Sequence, residues 1–262
     1  MSDQFRGSAL PVDASGLQSA LDTLGVGAAE LWSIIHVETS GCGFLADRRP
    51  KILFERHVFS ARTNHVYDAK YPEISNRTPG GYGAFGAFQY QRLQRAMALD
   101  RHAALISTSW GLGQVMGFNA GTVGYDTAEH MIVDMSNSES AQLGAMAQYI
   151  GSNALGGALR SHDWSRFAAG YNGPGYRANN YDTRLASAYQ YFERGALPDL
   201  SVRSAQVYLT FLGYDPHDVD GVMGRLTRSA MNDFQMATGI PVTDQVDART
   251  LEALEEAVAV VA

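Results

Sequence analysis

The sequence predicts a mainly α protein in two parts: a large helical domain with a small β-hairpin region, and a small helical bundle after it. Three observations carry this expectation. Apolar residues recur at helical spacing in segments that stop at glycines, as in the stretch from Glu30 to Leu45. One β-leaning run, Lys51 to Phe59, interrupts them. Residues 201 to 258 carry an internal repeat: Arg203-Ser-Ala205 returns as Arg228-Ser-Ala230, Gly213-Tyr214 as Gly239-Ile240, and Val219-Asp220 as Val246-Asp247.

Taken in order, residues 1 to 13 are a loose lead-in, and Ala14 to Leu24 suits a first helix stopped by Gly25. The next helix starts near Glu30 and breaks at Gly41-Cys42-Gly43. On it Leu31, Ile34, Ile35 and Glu38 share one face. Three are apolar, and the fourth is a carboxylate in the last turn. Desolvation disfavours its charged form, and so does the negative end of the helix dipole. A raised pKa is what a general acid near neutral pH requires. The alternative is an ordinary edge glutamate pointing to water.

Within Lys51 to Phe59, which suits a short strand or hairpin, Glu55 is either a salt-bridge partner of Arg56, Arg48 or Arg49, or a second site carboxylate. Asn64 to Phe88 reads as a long loop. Its Tyr67, Tyr71, Tyr82 and Phe85 either line a groove for sugar rings or cover the core locally. A helix follows from Tyr90 to Ala103, then a glycine-rich turn, Ser107 to Gly117, entering a short helix. Thr127 to Met135 and Ser138 to Ile150 are two more helices, the second capped by Ser138. Asp163 caps another that reaches Ala169 and runs into the turn Gly170-Tyr-Asn-Gly-Pro-Gly175. Tyr181 to Arg194 is the last long helix of the large part, with Gly195 as its C-cap. Domain boundaries are expected at 1–195, a linker at 196–200, and 201–262; the fragment 1–195 is expected to fold alone.

Composition narrows the function classes. With 45% hydrophobic and 18% charged residues the chain is an ordinary globular protein, without an apolar run that could insert in a membrane. A net charge of -7 with no basic run argues against a nucleic-acid partner. The start, MSDQFRGSAL, lacks the pattern of a signal peptide, so synthesis in a cytoplasm is expected. Cys42, the single cysteine, reads as a buried inert thiol, since His36 is poorly placed to activate it. The seven histidines show no metal-ligand spacing, so no metal and no cofactor are expected.

Glu38 before a Gly-rich turn, Ser109-Trp-Gly-Leu-Gly-Gln114 and Ala168-Ala-Gly-Tyr-Asn-Gly-Pro-Gly175 together resemble the lysozyme-like superfamily. Glu38-Thr-Ser-Gly-Cys-Gly-Phe44 with Arg49-Pro-Lys-Ile-Leu-Phe-Glu-Arg-His57 resembles the N-acetylmuramidase family of phage endolysins more closely, over residues 20 to 195. Residues 201 to 255 resemble the three-helix peptidoglycan-binding domain at Ala205-Gln206, Leu212-Gly-Tyr214, Val219-Asp-Gly221, Gly224, Thr227, Phe234-Gln235 and Thr250-Leu251. They depart from it at Asp244-Gln245, where a glycine is usual after the aspartate.

The resemblance implies a lysozyme-like catalytic domain that cleaves the β-1,4 bond between N-acetylmuramic acid and N-acetylglucosamine, causing bacterial lysis. Glu38 would be the acid and Glu55 the second carboxyl, holding a water. Tyr171 would hydrogen-bond Glu38 or the sugar, and Ser109 the Glu38 carboxyl. Gln114 and Asn172 would bind substrate or frame the site. All four also suit plain turn structure. The implied partner is bacterial peptidoglycan, met by a monomer that leaves the host cytoplasm through a holin. Two alternatives stand beside this: a lytic transglycosylase giving 1,6-anhydro products, and a wall-binding protein without catalysis.

Overall fold

The structure, a computed structural model, describes residues 4–260. The first unit opens with α1 (Ala14–Leu24) and α2 (Ala28–Thr39). Strand β1 (Ile52–Phe54) leads into α3 (Arg56–Arg62), and a long loop into α4 (Phe88–Met97) and α5 (Arg101–Ile106). Strands β2 (Thr108–Trp110) and β3 (Val115–Met116) follow, then α6 (Ala128–Asn137), α7 (Glu139–Ser152), α8 (Gly156–Arg160), α9 (Trp164–Tyr171) and α10 (Tyr181–Arg194). The second unit is α11 (Leu200–Phe211), α12 (Arg225–Thr238) and α13 (Ala248–Val260).

The caps are mostly those the sequence offers. Asp13, Ser138 and Asp163 each accept a backbone N–H in the first turn of α1, α7 and α9, and Gly25 closes α1 at φ 61. Gly195 follows α10 at φ -102, outside the left-handed region. The helix expected from Tyr90 to Ala103 is two. Asp100 turns the chain out of α4 and caps α5 by accepting the Ala103 N–H at 2.8 Å.

Of the two forms expected for residues 51–59, the short strand is the one that forms, and the hairpin lies elsewhere. Residues 51–59 hold three strand residues, after which Glu55 becomes the N-cap of α3. The hairpin is β2–β3, folded around the turn that the sequence suggests should enter a helix. Gly111 makes that turn possible: its φ is 67, and a Cβ there would lie 2.6 Å from the buried Gln142 side chain. β1 joins as the outer antiparallel strand, with Leu53 opposite Ser109. Nor is the lead-in loose over residues 4–13, its first three residues lying outside the described ones. Ala9 and Leu10 donate to the Ser136 and Asn137 carbonyls, and Val12 donates to Glu139.

Two apolar clusters fill the first unit. One lies among α1, α2, α7 and α8 to α10, the other between the sheet and α3 to α6. α2 runs through the first and is buried on most sides, with Leu31, Trp32, Ser33, Ile34, Ile35, Val37 and Thr39 all enclosed. It is a core helix rather than a one-faced surface helix. Each fully buried Leu or Ile contributes roughly 1.5–3 kcal/mol, which anchors the body of the helix. In the second unit, buried Gln206 donates to Thr227, and buried Gln235 to Thr250. Each amide ties down the start of the following helix, so the two halves use one device.

The two units meet along a buried seam. Arg203 of α11 and Glu139 of α7 are both 0% exposed and form an ion pair with N–O distances of 2.5 and 2.9 Å. Ala9, Cys42 and Phe44 pack there on Val207 and Val219. Removing everything beyond residue 195 would take Arg203 from Glu139 and uncover this seam.

Candidate active site

An open groove of about 860 Å³ runs between the end of α2, the sheet and the start of α10. Glu38, Glu55, Ser109, Gln114, Tyr171 and Asn172 all line it, so the fold gathers these six residues in one place.

Glu38 sits in the last turn of α2 and is half-buried. Burial pushes its carboxyl up to about 7, against the opposing pull of Asn172 and Arg184. Asn172 Nδ2 donates to Glu38 Oε1 at 2.9 Å. The helix end contributes differently from what the sequence suggests. Arg184 donates to the Val37 carbonyl at 2.9 Å, Lys51 Nζ to the Thr39 carbonyl at 2.8 Å, and the Ser40 N–H to the His36 carbonyl at 3.1 Å. The negative end of α2 is therefore met by two cations, and desolvation alone drives the shift.

Glu55 follows β1 and is half-buried. Its carboxylate lies 3.1 Å from His57 Nδ1 and accepts from the Tyr82 hydroxyl at 3.2 Å. Burial raises its pKa, against the opposing influence of His57 and Tyr82. The arginine partners considered for it are engaged elsewhere: Arg49 pairs with Asp47, Arg48 donates to the Gly7 and Ser8 carbonyls, and Arg56 donates to the Thr78 carbonyl. Tyr82 is held from behind by buried Gln89 and by Arg92, which both donate to its carbonyl.

Two expected contacts are absent. The Tyr171 hydroxyl donates to the Gly113 carbonyl at 2.6 Å rather than to Glu38. Its ring stacks on Phe167 and meets Tyr149 edge-on, so it clamps α9 to the glycine turn. Burial, then the nearby Glu38 charge, hold its phenol well above the ordinary value. The Ser109 hydroxyl donates to Gln114 Oε1 at 2.9 Å, not to Glu38, because β-pairing aims it across the hairpin. Gln114, at φ 47, spends its amide on the Lys51 and Gly111 carbonyls. Ser109, Gln114 and Tyr171 thus frame the groove. Asn172 differs, since it bonds Glu38 directly and its Oδ1 is buried without a protein partner.

Of the four loop aromatics, Tyr82 and Phe85 line the groove, while Tyr67 and Tyr71 cover the core. Arg184 and Tyr181 line the groove and act electrostatically on the Glu38 site, and neither was singled out by the sequence reading. The signal was their spacing at the start of α10, which puts both on one face just after the Tyr-Asn turn. Cys42 is a buried free thiol, pushed up to about 11 by burial and by Glu139. Among the described residues no group of three or more His, Cys, Asp or Glu could hold a metal ion, and no helix is long and apolar enough to cross a membrane.

With that geometry in place, comparison with known proteins gives a consistent result. The N-acetylmuramidase family model matches residues 27–193, and the model of a putative peptidoglycan binding domain matches residues 199–254. The crystal structure of Burkholderia AP3 phage endolysin is similar, with 36% sequence identity and a TM-score of 0.63 over 74% of this chain and 73% of that one. Comparison with curated proteins gives no match. The helices, small sheet and groove make a lysozyme-like muramidase unit beside a peptidoglycan-binding unit, and the chain belongs to the N-acetylmuramidase family, glycoside hydrolases acting on peptidoglycan.

Proposed function

We propose that the chain hydrolyses the β-1,4 bond between N-acetylmuramic acid and N-acetylglucosamine, with Glu38 as general acid, and that it serves as a lytic endolysin. The observation that carries this is the state of Glu38. A groove carboxyl that burial pushes up to about 7 is protonated in about half of the molecules at neutral pH, and that fraction can give its proton to a leaving glycosidic oxygen. Asn172 steadies that carboxyl by donating to its Oε1. Glu55 lines the same groove and is the candidate to orient the attacking water, with the Tyr82 hydroxyl bonded to its carboxylate and His57 3.1 Å away. A second carboxyl of this kind favours hydrolysis over internal capture by the sugar's own hydroxyl, which needs no water.

The peptidoglycan-binding unit keeps an acidic enzyme, net charge -7, on an anionic wall by local contacts. Mass spectrometry of digested, purified peptidoglycan tests the reading. Reducing N-acetylmuramic acid ends are expected. Anhydro-muramic ends would contradict it in favour of a lytic transglycosylase, and no release at all would leave a wall-binding protein.

A further inference from the structure

The segment just beyond Glu38 is gripped by the second unit. Arg203 Nε donates to the Gly41 carbonyl at 3.2 Å, and its Nη2 bonds the same oxygen. Its guanidinium also pairs with Glu139, whose other bonds are the Gly43 N–H at 2.8 Å and the Val12 N–H at 3.0 Å. One buried ion pair thus holds the backbone on both sides of Cys42. Gly41 has φ 88, and a Cβ there would stand 2.3 Å from the Val219 carbonyl, so the two units touch backbone to backbone. Phe44 meets Phe211 edge-on at 6.2 Å.

This arrangement is more than a seam that holds two units together. α2 ends at Thr39 with Ser40 in the left-handed region, and Ser40 lines both the glycan groove and a cavity of about 340 Å³ between the units. Within the first unit Lys51 and Arg184 fix the last carbonyls of α2. The carbonyl beyond them, that of Gly41, has its cation supplied by α11. We propose that Arg203 is a positioning residue for glycan cleavage: through the Gly41 carbonyl, the peptidoglycan-binding unit fixes the end of α2 and with it the setting of Glu38 in the groove. This rests on the reading of Glu38 as the acid. The unit so read does more than concentrate enzyme on the wall, because part of the catalytic architecture lies within it.

The test uses the full chain and a soluble glycan oligomer of alternating N-acetylmuramic acid and N-acetylglucosamine, too short to need wall anchoring. The double variant Glu139→Gln with Arg203→Met removes the pair without stranding a buried charge. It leaves Asn172, Arg184, Tyr171 and Tyr181, the groups facing Glu38, untouched. Its expected behaviour is a folded protein with KM unchanged and kcat lowered about tenfold. The alkaline limb of its pH profile should move downward as water reaches a less firmly held Glu38. Arg203→Lys keeps the charge against Glu139 but loses the fork on Gly41, and should fall between the two.

An unchanged kcat and alkaline limb in the folded double variant overturns the proposal, leaving the pair a role in stability or wall affinity alone. If the double variant does not fold, Arg203→Lys decides by the same criterion. Glu38→Gln in the same assay separates the two levels. Retained turnover there overturns the acid assignment and the proposal with it. An inactive Glu38→Gln beside an unaffected Arg203→Lys overturns the proposal alone.

Discussion

Two glutamates, half-buried Glu38 in the groove and fully buried Glu139 at the seam, are pushed in opposite directions. Burial raises both. For Glu38 the opposing groups are one amide, Asn172, and the more distant Arg184, and burial wins. For Glu139 burial is outweighed by the Arg203 guanidinium and by the Gly43 and Val12 N–H groups, which hold its carboxyl below the ordinary value. Glu139 is the more enclosed of the two, so enclosure does not decide which one keeps a proton. The number and charge of the donors decide it. A carboxyl left short of donors is held ready to donate, and one fully supplied with them becomes a structural anion.

The largest effect expected from breaking the comparison is on turnover. Glu38→Gln should lower kcat on a soluble glycan by roughly 10²–10⁴-fold while circular dichroism stays unchanged, because the amide has no proton to give. On the other side, Arg203→Met strands the Glu139 charge and should cost about 3–5 kcal/mol in urea unfolding; adding Glu139→Gln should recover most of that. Glu55→Gln should reduce hydrolysis by about 10²-fold, and a variant that keeps full activity would remove Glu55 from the mechanism.

A smaller effect separates the two carboxyls by pH. At pH 4 Glu38 is protonated in folded and unfolded chains alike. As pH rises from the ordinary 4.5 towards about 7, the unfolded chain loses its proton first, so the folded state loses stability across that window. Glu38→Gln should therefore stabilise the protein by about 1–2 kcal/mol at pH 8, after allowance for the partly exposed site, and by nothing measurable at pH 4. The smallest change is Asn172→Ala. Loss of the donor that favours the charged form should move the alkaline limb of activity upward, read as a shifted kcat profile with little change in melting temperature.

Much of the fold was legible in the sequence because its signals are local. Asp13, Ser138 and Asp163 announce helix starts, and Gly25 a helix end. The repeat at Arg203 and Arg228 announces the bundle. The sheet was hard to read because β1 is only three residues long and pairs with residues 108–110, far along the chain. The six site residues share the groove, but their bonding partners could not be inferred from spacing. Tyr171 and Ser109 reach Gly113 and Gln114, contacts set by how α9 and the hairpin pack. The seam was invisible for the same reason. Nothing in the local surroundings of Arg203 shows that it will be buried against Glu139 and Gly41, because the match is between units.

The most direct measurement is a carbon-13 NMR titration of the glutamate carboxyls in the full chain, with Glu38→Gln and Glu139→Gln assigning the two signals. The predicted result is a Glu38 midpoint near 7 beside a Glu139 carboxyl still ionised below its ordinary 4.5. A Glu38 midpoint at or below 4.5 would contradict the account, because a carboxylate already ionised at neutral pH has no proton to give the leaving sugar.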